Sequence, residues 1–377
     1  MSHNEALFQW MGIVSSQMRH LSKPQAVTLA LFSFGMVMTR RCGMTSISHF
    51  LGLLTGKRQA NLRQRLREWC YDAADKRGSG RQEIRVADSF APLLRWIVTW
   101  WIKGERQMVL ALDATSLGQT FTVLSLSVVY RGCAIPVAWS IVAGSQKGSW
   151  RPHWEAMLKL LSPAIPSRWR VLVLTDWGLY ARWLFSAIRQ QGWHPFMRIN
   201  LQGQFRRAKA KRWRPLQQLV GQNGRLWSGK VVCFKTAACQ LPCTLLACWM
   251  PQHAHPWLIV TDLPVNQAQI AWYGWRAWIE SGFKDVKRGG WHWEQTKMKR
   301  HERAERLWLV MAVATLWTVS VGGSYEAVLF PLLSSKSRSL SCLVQGLNAI
   351  LAAALLHRPL PLGHFIPNYA CSLPLLC

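Results

Sequence analysis

Acidic residues are scarce in this chain: 17 aspartates and glutamates stand against 46 lysines and arginines in 377 residues, a formal charge of +29. Uncompensated positive charge opposes compaction and counterion release favours nucleic acid, so a polyanionic partner is implied, DNA or RNA before an anionic membrane. A cleavable signal peptide is also missing, because Met1-Ser-His-Asn-Glu has neither a basic start nor an apolar core; this points to a cytoplasmic protein. In that compartment the ten cysteines read as free thiols. Their one cluster, Cys239, Cys243 and Cys248 with His253 and His255, contains no Cys-x-x-Cys pair and reads as buried thiols in a β-rich segment rather than a zinc site. Long apolar runs are few. The strongest, Leu307 to Gly323, is about 17 residues, follows Arg303 and Arg306 and includes small and polar residues. It is short for a membrane span and reads as a core helix, so no membrane is expected.

What is present is enough hydrophobic sequence, half of the chain, to exclude disorder and to fill two or three domains. Residues 1–88 read as an all-α DNA-binding domain with helices over Gln25–Met38, Met44–Leu54 and Arg58–Tyr71. The third, carrying Arg63, Arg65 and Arg67, suits the major-groove helix of a helix-turn-helix unit, against the alternative of a basic, solvated helix. Lys76-Arg-Gly-Ser-Gly-Arg81 reads as a hinge. From Gln107 the pattern turns strand-like. Strands over Gln107–Asp113, Thr120–Tyr130 and Ala134–Val142, with Arg131-Gly132 as the tightest turn, precede a helix at Pro152–Leu161, a strand at Val171–Thr175, a helix at Ala181–Gln191 and a strand at Pro195–Ile199. This α/β order is the ribonuclease H-like arrangement, in which the first and fourth strands are neighbours. Residues 89–323 are read as that core, with a β-rich insertion at about 201–256 opened by the basic loop Arg206–Arg214. Residues 324–377 offer apolar helical stretches with no functional reading.

Only three aspartates close strongly apolar runs: Asp113, Asp176 and Asp262. A carboxylate there is costly unless it is paired or binds a cation, or else it is a turn residue. The segment Tyr273 to Lys287 is read as a helix, on which seven residues make nearly two turns. Tyr273, Glu280 and Lys287 then align, with Arg276 and Lys284 bordering the stripe. One acid ringed by cations and a phenol suits a metal-bound phosphate; the alternative is a solvated helix with one ion pair.

Asp113 in Leu-Asp-Ala-Thr, Asp176 in Leu-Thr-Asp-Trp-Gly, and Tyr273, Arg276, Glu280 and Lys287 in the Tyr-x2-Arg-x3-Glu-x6-Lys (YREK) pattern resemble the bacterial insertion-sequence DDE transposases of family four, over Met108 to Gly323. The resemblance implies a DNA transposase that cleaves its element's ends and joins them to target DNA, with two Mg²⁺ or Mn²⁺ ions held by Asp113, Asp176 and Glu280. It makes Asp113 the bridging ligand and implies that Arg276, Lys287 and Lys284 clamp phosphates while Tyr273 donates to one. The expected partners are double-stranded DNA, as ends and target, and a second copy in the DNA complex at the bacterial nucleoid. The chain departs from the family at Trp177, where arginine is usual, so no phosphate contact is assigned beside Asp176. Asp262, flanked by Leu-Pro after the insertion, matches a turn and is set aside. Trp275, Trp278, Trp291 and Trp293 surround the segment, and stacking on an unpaired base is weighed against core packing for each. Two other readings are a ribonuclease H-like nuclease without strand transfer and a domesticated protein that only binds DNA. The intact YREK pattern argues against the first and the intact acids against the second.

Overall fold

Met108–Leu112 and Val171–Leu174 are apolar without alternation, the pattern of strands covered on both faces, and all of these residues are buried. They lie on β1 (Gln107–Leu117) and β4 (Arg170–Thr175) in a computed structural model that describes residues 3–79, 81–117, 119–146, 150–329 and 340–369. The molecule is mixed α/β with one large sheet and N-terminal helices. In sheet order the strands are β3 (Cys133–Ala143), β2 (Phe121–Tyr130), β1, β4, β5 (His194–Arg198), β10 (Trp257–Thr261), β9 (Leu241–Cys248), β8 (Leu226–Cys233), β6 (Gln204–Arg207) and β7 (Arg214–Pro215).

β1 to β3 form an antiparallel meander. Arg131 and Gly132 both have positive φ, 44° and 79°, the twist that a two-residue hairpin turn needs. β4 runs parallel to β1 and β5 parallel to β4. Parallel pairing requires crossovers, supplied by α6 (Arg151–Leu161) before β4 and α7 (Arg182–Gln190) before β5. The segment expected as an insertion extends this same sheet, because β10 pairs with β5 on one side and β9 on the other. The basic run Arg206–Arg214 is not a plain loop: Phe205 on β6 pairs with Arg214 on β7, and Arg206 lies 5.5 Å over the Trp213 ring.

The N-terminal region contains α1 (His3–Gln17), α2 (Lys23–Thr39), α3 (Met44–Thr55) and α4 (Gln59–Cys70), followed by α5 (Phe90–Trp100). α2 begins where Gln25 Oε1 accepts from Ser22 N–H at 2.9 Å with Pro24 in the first turn. It ends at Arg40 in the left-handed region, φ 53°. It is apolar around most of its circumference because it is sandwiched between α1 and the 29-residue α9 (His301–Leu329). Trp69 Nε1 donates to Arg306 O at 2.8 Å, and the buried Arg306 donates to Cys70 O at 3.0 Å and Asp72 at 2.7 Å. Packing is therefore continuous across the boundary placed at residue 88.

α9 is long and apolar enough to cross a membrane, but 94% of its apolar window is buried inside the protein. α10 (Cys342–Leu355) lies directly on it: a Cβ at Gly346 would sit 1.8 Å from Thr318 O. Farther on, Ile366 N–H donates to Tyr130 Oη at 3.0 Å and Tyr369 Oη to Val129 O at 3.0 Å. The described part of the C-terminal region thus braces the β2–β3 hairpin and α9.

Candidate active site

Leu112 of β1 pairs with Thr175 of β4, and the next residue on each strand is an aspartate. Parallel neighbours about 4.8 Å apart therefore place Asp113 and Asp176 side by side where β4 ends. Asp176 Oδ1 accepts from Leu179 N–H at 3.1 Å and Asp113 Oδ1 from Ala114 N–H at 2.8 Å. The turn role considered for such aspartates is thus real at Asp176, and it leaves Oδ2 free to face inward.

The third acid arrives on the segment after β10, which is not the single α-helix its spacing suggests. Ile270–Ala277 winds as a 3₁₀ helix, α8 spans Trp278–Lys284, and Asp285–Gly289 makes a π turn. At three residues per turn the first part advances about 120° per residue instead of 100°. Tyr273 therefore leaves the Glu280 stripe. Gly282 lets α8 lie on the sheet, since a Cβ there would come within 2.7 Å of Ala134 Cβ on β3.

All three acids meet at one cation. Arg276 Nη2 lies 2.7 Å from Asp113 Oδ2 and 3.4 Å from Asp176 Oδ2, and Nη1 donates to Glu280 Oε1. Arg276, expected as a phosphate clamp, is in this structure the counter-ion of the whole cluster, because two adjacent, half-buried aspartates and a nearby glutamate repel one another without one. Burial pushes the Asp113 pKa up to about 6; Arg276 and the Ala114 N–H oppose this, and Asp176 and Glu280 add to it. Burial works against the charge on Arg276, but Asp113, Tyr273, Asp176 and Glu280 outweigh it, and its pKa is raised. Arg276 Nε and Thr175 Oγ1 are buried with no hydrogen-bond partner.

The remaining expected residues fall in different places. Tyr273 is buried against Trp257, ring centroids 5.1 Å apart, so a phenol poised to donate to phosphate is corrected to an internal one. Burial raises its pKa to about 12, with Arg276 and Arg198 opposing. Lys287 Nζ donates to Thr115 Oγ1 at 2.7 Å, two residues along β1 from Asp113 and so on the same face. Burial, with Arg288, lowers the Lys287 pKa. Lys284 is exposed one turn beyond Glu280. Trp275, Trp291 and Trp293 are buried and Trp278 half-buried, so core packing claims most of that set. Asp262 pairs with Arg189 at 3.4 Å and His194 at 3.1 Å, on the far side of β5 from β4. The Cys/His cluster is dispersed: Cys239 is exposed, Cys243 Sγ lies 3.8 Å from Cys233 Sγ and Cys248 Sγ 3.6 Å from Gly224 O.

Sequence reasoning missed Thr115 and Arg198. Arg198 ends β5, the next parallel strand, and touches both Tyr273 and Trp177. The rule that found Asp176, a polar residue closing a buried parallel strand, would have found it too.

Three carboxylates within reach of one cation are the hard-oxygen donor set that Mg²⁺ and Mn²⁺ prefer, and the guanidinium stands where a cation is wanted. With Arg276 in place the acids are spread around it. Among the described residues no three His, Cys, Asp or Glu side chains are gathered closely enough to share an ion.

Acids from three separate elements are thus closed round one guanidinium in a protein of net charge +29. A model of the transposase DDE domain matches residues 106–317, more than half of the chain, and the chain belongs to that family. DDE transposases generally use divalent metals. No curated protein matches the chain. Among solved structures, a cryo-EM structure of the piggyBac transposase synaptic complex with hairpin DNA is similar at 10% identity, covering 94% of this chain and 79% of that one with a TM-score of 0.38.

Proposed function

We propose that this chain is an insertion-sequence DNA transposase of family four, with a ribonuclease H-like core, that cuts its element's ends and joins them to target DNA. The observation that carries this is the convergence of Asp113, Asp176 and Glu280 on Arg276 within the region matched by the family. Two Mg²⁺ or Mn²⁺ ions, when bound, supply a nucleophile of lowered pKa and neutralise the leaving oxygen. Asp113, Asp176 and Glu280 would hold them. Arg276 then turns from the acids to the DNA phosphate, where its fork suits bidentate pairing. Lys287, held beside β1 by Thr115, and the exposed Lys284 take flanking phosphates, while Tyr273 packs behind Arg276 and keeps it in range.

The DNA path is supported by a cleft of about 860 Å³ between the N-terminal helices and the segment after the π turn, lined by Arg41, Arg63, Arg67, Lys297, Lys299 and Arg300. Arg65 is not part of it, because its Nε donates to Thr28 Oγ1 at 2.8 Å. α4 therefore offers two of its three expected arginines to DNA. Two copies, one per element end, acting on chromosomal DNA in the cytoplasm complete the proposal.

Cleavage and end joining on DNA taken from either side of the gene test it. Asp113→Ala, Asp176→Ala and Glu280→Ala should each lose activity by about a hundredfold or more while still binding DNA, and Asp262→Ala should remain active. Cleavage without joining would favour the plain nuclease. Full activity in Asp176→Ala would remove the acid assignment.

A further inference from the structure

Of the 23 tryptophans, only Trp177 is exposed, with 45% of its surface open, and it directly follows Asp176. Its exposure is organised. The Arg198 guanidinium lies 5.3 Å from the ring centroid, and Arg198 is itself fixed by a 3.0 Å hydrogen bond from Nη2 to Pro256 O. The His255 ring lies 5.4 Å away at 41°. The indole is thus steadied by one residue ending β5 and another from the loop before β10, yet nearly half of it stays open. Elsewhere the fold buries or half-buries every indole, including those around Glu280 that were weighed as stacking partners. A nucleobase matches this exposure: its flat π-system can stack on an indole whatever the sequence, next to a carboxylate assigned to the phosphate chemistry, on a strongly cationic protein.

We propose that Trp177 is a stacking platform for an unpaired base of the DNA strand whose phosphate lies at Asp113 and Asp176, with Arg198 polarising the indole from beneath. The inference rests on the transposase reading for the identity of the strand. Stacking there would hold the strand end away from its complement and set the phosphate beside the acids.

The test uses the full-length protein and a forked oligonucleotide from the element end, with 2-aminopurine placed in turn at each position near the junction and no divalent metal present. Stacking on an indole quenches this fluorophore. Wild type should quench it at one position, and Trp177→Ala should lose the effect by at least about fivefold, with anisotropy still showing bound DNA and an unchanged melting temperature. A residue that merely braced Arg198 would not move the fluorescence. Equal quenching in Trp177→Ala and wild type overturns the platform, as does no quenching at any position in wild type. Position-specific quenching without end cleavage after Mg²⁺ addition would keep the platform and overturn the transposase reading instead.

Discussion

A guanidinium held by three carboxylates competes with any other cation for the same oxygens, so under the proposed function Arg276 and metal are rivals for the site. Removing it should strengthen Mn²⁺ binding to the DNA-free protein. We expect Arg276→Ala to bind Mn²⁺ about tenfold more tightly than wild type, equivalent to about 1.4 kcal/mol, by calorimetry or electron paramagnetic resonance. The variant should melt lower in chelator and recover when Mn²⁺ is added. Weaker Mn²⁺ binding would show that Arg276 only orients the acids. Because linkage is reciprocal, a phosphate that draws Arg276 away also favours metal. A second residue-scale effect belongs to Asp285, whose carboxyl is pushed up to about 7 by burial. Its folded pKa lies above the ordinary carboxyl value, so its stabilising contribution is complete below about pH 4 and is lost as pH rises through 7. Asp113, raised to about 6, acts in the same direction in the metal-free protein. Melting temperature should fall from pH 5 to pH 8, and Asp285→Asn should flatten the fall; parallel profiles in both proteins would refute this.

At the scale of elements, the segment Ile270–Gly289 delivers Glu280 by changing its winding twice, and Gly282 fixes its height above β3. Gly282→Ala forces Ala134 and the helix apart. Overpacking of this kind costs about 1 to 3 kcal/mol, and the displaced Glu280 should reduce cleavage beyond what the loss of stability explains. Melting and single-turnover cleavage on one preparation check both parts, and a normal rate in a fully folded variant would show slack between α8 and the sheet. The YREK spacing was readable as periodicity, but the switch from 3₁₀ to α to π was not. It reflects how Trp272, Tyr273 and Trp275 bury against the sheet and the C-terminal segment, contacts distant in sequence. The strand pair β1 and β4 was legible for the opposite reason, since their unbroken apolar runs and terminal aspartates are local signals.

For the whole molecule, charge decides more than shape. The basic cleft joins α3 and α4 to residues 292–303, and Cys42 N–H donating to Trp291 O at 2.8 Å ties the two sides together. If it carries the phosphate backbone, the fourfold variant Arg63→Gln, Arg67→Gln, Lys297→Gln, Lys299→Gln should lower the slope of log affinity against log salt by about 3 to 4. Binding titrations between about 50 and 200 mM salt measure this. An unchanged slope would place the DNA elsewhere, on the β6–β7 hairpin or the face around Lys284.

The amino-acid order by itself determined the strong positive charge, the strand and helix order from β1 to β5, and which few acids close buried strands, because net charge, apolar run length and strand-end residues are properties of local sequence. Tertiary structure alone decided that Arg276 neutralises those acids, that Tyr273 turns inward, that the β-rich segment extends the sheet, and that the N-terminal helices share their core with α9. Each of these depends on which distant residues meet. A guanidinium takes the nearest unpaired carboxylates whatever their spacing in the chain, and an apolar helix buries itself against whichever surface the fold presents.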